Sequence, residues 1–75
     1  MIVYLYGTEG CHLCEDAMKL FQLQPEVEVI YRDIMEKTEW LERFRVRIPV
    51  VQLAQNELDW PFTLTELNEF LEKSS

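Results

Sequence analysis

The sequence predicts a small α/β domain with the element order β-α-β-α-β-β-α, and three observations support this. Short runs rich in β-branched and aromatic residues alternate with segments whose apolar residues recur at helical spacing. No repeat, low-complexity tract or Pro/Gly-rich linker divides the 75 residues. The apolar share of 48% is ordinary for a globular chain. We therefore expect a single domain over residues 1–75, with a four-stranded mixed sheet and three helices.

The first half of the chain predicts a β-α-β unit. Ile2–Tyr6 is a continuous run rich in β-branched and aromatic residues, which is typical of a central strand covered on both faces. The helix that follows has an apolar stripe formed by Cys14, Ala17, Met18 and Phe21. Gln24-Pro25 is expected to end this helix, because the residue before a proline is disfavoured in helical conformation. Val27–Arg32 predicts the second strand, parallel to the first, with Val27, Val29 and Tyr31 on one face.

The second half predicts a hairpin between two helices. Asp33–Glu36 and Thr63–Glu66 each have the spacing of a capping box, which marks the start of a helix. The apolar stripes behind these boxes are Trp40, Leu41 and Phe44, and then Leu64, Leu67, Phe70 and Leu71. Between the helices, Val50–Leu53 and Glu57–Trp60 predict two strands joined by a short loop.

The charge balance argues against several classes of partner. Fourteen acidic residues against seven basic ones give a formal charge of −7. Nucleic acids and anionic membrane surfaces attract basic patches, so we expect neither as a partner. The longest apolar stretch, Ile2–Tyr6, is too short to span a bilayer and lacks the basic segment that precedes a signal peptide core. We expect a soluble monomer in the reducing cytoplasm.

The segment Cys11-His12-Leu13-Cys14 has the strongest chemical content in the chain. It follows the first predicted strand and opens the first helix, whose N-terminal amides and partial positive charge favour a thiolate. We therefore expect the pKa of Cys11 to lie below the usual value of about 8.5. Cys14 lies one turn deeper on the same face. The pattern indicates dithiol–disulfide exchange, in which Cys11 attacks a substrate disulfide and Cys14 resolves the mixed disulfide.

Zinc binding, haem attachment and a structural disulfide are the other interpretations of this motif. A zinc site needs about four ligands, and beyond the two cysteines and His12 the chain has no Cys or His, although a site shared between two chains stays open. Covalent haem attachment requires a histidine where Glu15 stands. A purely structural disulfide would close too small a loop to stabilise the fold much. His12 either supports the Cys11 thiolate as a cation or simply faces solvent, and its place between the cysteines makes it a candidate substrate-binding residue.

These motifs resemble the glutaredoxin branch of the thioredoxin-like proteins. The resemblance covers the whole chain and rests on Tyr4–Tyr6 leading into Gly10–Cys14, on Arg47–Val51 and on the W-P-F segment Trp60–Phe62. It is closest to short glutaredoxin-like proteins with a C-H-L-C motif. It implies a thioredoxin-like fold and a thiol-disulfide oxidoreductase, with Cys11 as nucleophile and Cys14 as resolving thiol.

The resemblance also implies a substrate edge at Ile48-Pro49, where the proline is cis in that family and the backbone before it pairs with an extended substrate. The substrates implied are protein or glutathione disulfides, with no resident cofactor. The sequence departs from the family pattern near the expected glutathione site. Thr8–Gly10 stands in place of the usual lysine, and the Gly-Gly turn is missing around Asn56–Asp59.

Three arginines, Arg43, Arg45 and Arg47, precede Pro49. Arg43 lies near the predicted end of a helix, where the helix dipole favours a positively charged side chain, and this position alone explains its presence. Arg47 is the candidate to attract a carboxylate of the substrate, such as one of glutathione. The alternative function is a non-catalytic thioredoxin-like binding module, in which the cysteines are vestigial or hold a metal between two chains.

Overall fold

The computed structural model describes residues 1–74, which form a four-stranded mixed sheet with three α-helices. The strands are β1 (Ile2–Gly7), β2 (Glu28–Asp33), β3 (Val50–Leu53) and β4 (Asn56–Asp59). The helices are α1 (His12–Phe21), α2 (Thr38–Phe44) and α3 (Leu64–Ser74). The predicted α/β class and element order are confirmed, with β2 and β4 each displaced by one residue from the expected bounds.

The strand pairing determines where the cysteine motif lies. The spatial order is β2-β1-β3-β4, with β1 parallel to β2 and antiparallel to β3, and with β3 and β4 forming a hairpin. Leu5 pairs with Tyr31 and Tyr6 pairs with Val50. The carboxyl ends of β1 and β2 and the amino end of β3 therefore meet at one end of the sheet. The chain leaves β1 at this end and enters α1.

Both faces of β1 are covered, as its continuous apolar sequence predicts. Val3 and Leu5 are fully buried on the face that carries α1 and α3. The other face packs against α2, where the Tyr6 ring stacks on Phe44 at a centroid distance of 4.2 Å and meets Trp40 edge-on at 5.6 Å. Apolar burial on two faces anchors β1 and so holds the loop that follows it in place.

The two capping-box predictions have different outcomes. At α3 the box forms in full, because the Thr63 amide donates to the Glu66 carboxylate at 2.9 Å and the Glu66 amide donates to Thr63 Oγ1 at 3.1 Å. At the earlier site, Asp33 accepts from the Met35 amide at 2.9 Å but caps only a short 3₁₀ turn, Ile34–Glu36. The prediction of one continuous helix there is wrong, since Lys37 is extended and α2 starts anew at Thr38.

The end of α1 also differs from the prediction. The helix stops at Phe21, before the Gln24-Pro25 pair that was expected to end it. The amides of Leu23 and Gln24 donate to the carbonyls three residues earlier, at 3.1 and 2.9 Å, which tightens the last turn out of α-helical geometry. The Gln24 side chain then donates a hydrogen bond to Asn68 of α3. Within residues 1–74 no helix is long and apolar enough to cross a membrane.

Candidate active site at the end of β1

The two cysteines lie at the start of α1, directly after the loop that leaves β1. They are joined in a disulfide, with their Cα atoms 5.2 Å apart. Cys11 is half-buried, whereas Cys14 is only 3% exposed. Cys11 is therefore the outer sulfur, open to an incoming substrate, and Cys14 is the inner one.

Cys11 is the N-cap of α1. Its backbone is extended, with φ −85° and ψ 103°, and its Sγ accepts a hydrogen bond from the Cys14 amide at 3.1 Å. A serine or aspartate oxygen usually occupies this place at a helix start. The free amides of the first helical turn carry partial positive charge, so the same geometry favours a negatively charged sulfur once the disulfide is reduced. Gly10, at φ +77°, makes the turn into this cap in the left-handed region that suits glycine.

Tyr31 of β2 reaches the same site from the neighbouring strand. Its hydroxyl donates to the Thr8 carbonyl at 3.1 Å. A Cβ on Gly7 would lie 2.6 Å from the Tyr31 hydroxyl oxygen and 2.7 Å from Cys14 Sγ. The missing side chain at Gly7 therefore lets the hydroxyl and the inner sulfur converge at the end of β1.

The surroundings keep the Tyr31 phenol protonated. Desolvation raises its pKa above the ordinary 10.0, and the nearby carboxylates of Asp33 and Glu9 raise it further. At neutral pH the group is consequently a hydrogen-bond donor. The sequence pattern predicts Tyr31 on one face with Val27 and Val29 but indicates no role for it at the site. The signal that could have found it is its place near the end of β2, because parallel pairing to β1 brings that end to the cysteine loop.

A shallow pocket of about 280 Å³ joins these groups. Its lining consists of Thr8, Glu9, Gly10, Cys11, Cys14, Glu15, Met18 and Tyr31. Both cysteines thus line one opening, and among residues 1–74 no lysine or arginine lines it. A larger cavity of about 450 Å³ lies near the opposite end of β1, beside Met1 and Leu71, and its lining includes no cysteine or histidine.

The predicted substrate edge adjoins this site. Pro49 directly precedes Val50, which pairs with Tyr6 near the end of β1, so it enters β3 at the end of the sheet that carries the cysteine loop. The Ile48–Pro49 bond is cis, as the family resemblance implies, and the Trp60–Pro61 bond is cis as well. The Ile48 amide donates to the Phe44 carbonyl at 3.0 Å. For pairing with an extended substrate, the backbone of Ile48 therefore offers its carbonyl.

His12 lies between the cysteines but points away from them. Its side chain is 94% exposed, with Nδ1 3.6 Å from the Glu15 carboxylate. This placement agrees with the solvent-facing alternative, and a role in substrate binding stays a prediction. Within residues 1–74 no group of three or more His, Cys, Asp or Glu side chains is arranged to hold a metal ion.

Arg47 is held by carboxylates of β4. Its guanidinium bonds both oxygens of Asp59, at 2.7 and 3.0 Å, and one oxygen of Glu57 at 2.7 Å. Arg43 pairs with the other oxygen of Glu57. The hydrogen bonds from Arg47 hold the pKa of Asp59 below its ordinary value. A substrate carboxylate must therefore compete with two internal ones for Arg47, and the predicted binding role remains untested.

We expect Arg47→Met to lower stability at neutral pH by less than about 1 kcal/mol, because the pair with Asp59 is partly exposed to solvent. Arg47 depresses the folded-state pKa of Asp59 below 3.8, so the pair stabilises the fold above that pH and is lost as the pH falls through the depressed value. The free energy of unfolding in urea should be lower than that of wild type at pH 7, and this difference should shrink in strong acid. Arg45→Met is the matched control, since residues 1–74 supply no ion-pair partner for Arg45. An equal loss in both variants would contradict the expectation.

Comparison with known proteins decides the family. The family model described as Glutaredoxin-like domain (DUF836) matches residues 2–72. The chain belongs to this glutaredoxin-like family. No curated protein sequence matches it.

Solved structures agree with this glutaredoxin-like assignment. The X-ray structure of the structural-genomics target protein XcR50 from X. campestris has a TM-score of 0.87 at 26% identity, covering 97% of this chain and 99% of that one. The solution structure of XcR50 gives a TM-score of 0.85, also at 26% identity, covering 100% of this chain and 97% of that one. Thioredoxin 1 from Thermosipho africanus TCF52B gives 0.64 at 15% identity, with 99% and 98% covered, and it shows the fold alone. The predicted thioredoxin-like fold is confirmed.

Proposed function

We propose that this glutaredoxin-like domain is a thiol-disulfide oxidoreductase that works by dithiol–disulfide exchange. One observation carries the proposal: the half-buried Cys11 sulfur caps a helix and accepts an amide hydrogen bond, while the buried Cys14 sulfur lies at bonding distance. The outer sulfur is accessible and stabilised as a thiolate, and the inner sulfur is positioned to displace whatever binds to it. Reactive cysteines occur in environments of this kind, whereas structural buried cysteines are inert.

The exchange follows two displacements. The Cys11 thiolate attacks one sulfur of a substrate disulfide and expels the other as a thiolate, which takes a proton from solvent. The Cys14 thiolate then attacks Cys11 Sγ, which breaks the mixed disulfide and releases the second substrate thiol. Two electrons pass from the dithiol to the substrate, and an external thiol must reduce the Cys11–Cys14 bond for another turnover.

Protein disulfides are the substrate class that the site supports best. Ile48 and Pro49 directly precede β3, at the end of the sheet where β1 leads into the cysteine loop, which would allow an extended peptide to run along this edge and present its disulfide to Cys11. Glutathione disulfide stays a second candidate substrate, and reduced glutathione is a candidate for the external thiol that reduces the Cys11–Cys14 bond. Its carboxylates would have to compete with Asp59 and Glu57 for Arg47. The proposed protein is a monomer, needs no resident cofactor and works in the reducing cytoplasm.

Alkylation of the reduced Cys14→Ser variant across a pH series, read by mass spectrometry, tests the proposal at its first step. We expect Cys11 to react with a midpoint clearly below about 8.5, because it caps a helix. Incubating reduced wild-type protein with glutathione disulfide should yield the Cys11–Cys14 bond or the mixed disulfide. An unshifted midpoint, or inert thiols together with stoichiometric zinc on the purified protein, would instead support the non-catalytic binding module.

A further inference from the structure

We propose that Tyr31 is a positioning residue for the resolving step, with its hydroxyl donating a hydrogen bond to the Cys14 thiolate when the pair is reduced. This inference rests on the exchange reaction proposed above. It assigns a role to a side chain that lies outside the C-x-x-C motif and on a different strand. The inner cysteine, rather than the outer one, is the group it acts on.

The geometry brings donor and sulfur to one place. The Tyr31 hydroxyl oxygen and Cys14 Sγ lie 2.6 and 2.7 Å from the same point, the position that a Gly7 Cβ would occupy. In the disulfide the hydroxyl donates to the Thr8 carbonyl at 3.1 Å, because a neutral disulfide sulfur is a weak acceptor. Reduction turns that sulfur into a thiolate, which accepts far more strongly. The Tyr31 side chain is 43% exposed, so it has room for the small shift that the new bond requires.

The inner sulfur needs such a donor. Cys14 is 3% exposed, and burial disfavours the thiolate that must attack Cys11. Nearby negative charges disfavour the Cys14 thiolate further, since the carboxylates of Glu9 and Glu15 line the pocket and Asp33 lies near Tyr31. No lysine or arginine lines the pocket. A neutral hydroxyl donor is thus the group that this site offers for stabilising the Cys14 thiolate.

The proton balance keeps Tyr31 neutral throughout. The Cys14 thiol releases its proton to solvent, and the resulting thiolate displaces the substrate thiolate from Cys11 Sγ. Tyr31 contributes a hydrogen bond and keeps its own proton, which the raised pKa of its phenol favours. The group therefore adds no negative charge to a pocket that already carries two carboxylates.

Tyr31→Phe tests this role, because it removes the hydroxyl and keeps the ring. Reduced protein is mixed with glutathione disulfide, quenched with acid at intervals, and the mixed and internal disulfides are resolved by mass spectrometry. We expect formation of the Cys11 mixed disulfide to be unchanged, and its resolution by Cys14 to slow about threefold at neutral pH. Loss of a hydrogen bond to a charged group lowers the thiolate fraction about tenfold, but the more basic thiolate that remains is a better nucleophile. The pH midpoint of resolution should rise by about one unit. Tyr4→Phe, on the opposite face of the sheet, is the matched control.

A second measurement avoids turnover altogether. In the Cys11→Ser background, the alkylation midpoint of Cys14 should rise when Tyr31→Phe is added. Normal resolution and an unmoved Cys14 midpoint in the Tyr31 variant would overturn the role of Tyr31 while leaving the exchange reaction intact. Equal slowing of both steps would overturn it too, since that is the result of a merely structural change. Failure of wild-type protein to form any disulfide with the probe would overturn the proposed function itself, and this inference with it.

Discussion

We expect Cys11→Ser to reduce disulfide exchange to the rate of buffer alone, and Cys14→Ser to stop the reaction at the mixed disulfide. The difference follows from the depth of the two sulfurs. The Cys11 sulfur is the accessible one and accepts a hydrogen bond from the Cys14 amide at the start of α1. Replacing Cys11 therefore removes the attacking thiolate. Cys14 is buried, so its loss leaves the first displacement intact and removes only the second. Mass spectrometry of each variant after incubation with a disulfide distinguishes the two.

The double variant and a surface change complete that experiment. Cys11→Ser with Cys14→Ser should be as inactive as Cys11→Ser alone, because the two groups act in sequence. Met35→Ala, an exposed residue in the 3₁₀ turn, should react as wild type does. If Cys14→Ser were unreactive and Cys11→Ser still formed a mixed disulfide, the assignment of outer nucleophile and inner resolving thiol would be reversed.

The fold is predictable where local patterns suffice. The apolar run of β1 is covered on both faces, and the Cys14–Phe21 stripe of α1 faces the core as its spacing predicts. The Thr63 capping box forms because both partners lie within one turn. The similar box at Asp33 forms only in part, since the extended Lys37 separates the 3₁₀ turn from α2. A capping pattern marks a helix start, but it does not show how far the helix continues.

The candidate site is predictable only in its sequential part. Cys11 and Cys14 are recognisable from spacing and from their place after a strand. Tyr31 and Gly7 join them through the register of β1 with β2, which no local pattern specifies. The pairing of Arg47 with Asp59 likewise depends on how the β3–β4 hairpin turns back. Long-range strand pairing thus brings Tyr31 to the cysteines and brings Asp59 to Arg47. Neither contact can be predicted from a local sequence pattern.

Gly7 is the position where an added methyl group should collide with the inner sulfur. Its Cβ would lie 2.7 Å from Cys14 Sγ and 3.2 Å from Cys14 Cβ. The Tyr31 hydroxyl, 2.6 Å away, ends a half-exposed side chain and can move aside. Cys14 cannot, because it is buried on α1. We expect Gly7→Ala to destabilise the fold by about 1–3 kcal/mol, as overpacking in a core does, and to slow formation of the Cys11–Cys14 bond.

Gly10→Ala separates the effect on stability from the effect on the sulfurs. Gly10 has φ +77° and no atom within 4 Å of an added Cβ, so alanine costs about 1–2 kcal/mol through backbone strain alone. Urea unfolding should therefore show comparable losses for the two variants. Acid-quenched time courses should differ, with slow resolution of the mixed disulfide in Gly7→Ala and near-normal resolution in Gly10→Ala. Unimpaired resolution in Gly7→Ala would mean that Cys14 does not depend on the space that Gly7 leaves open, and the close approach of strand and sulfur would then have no part in the chemistry.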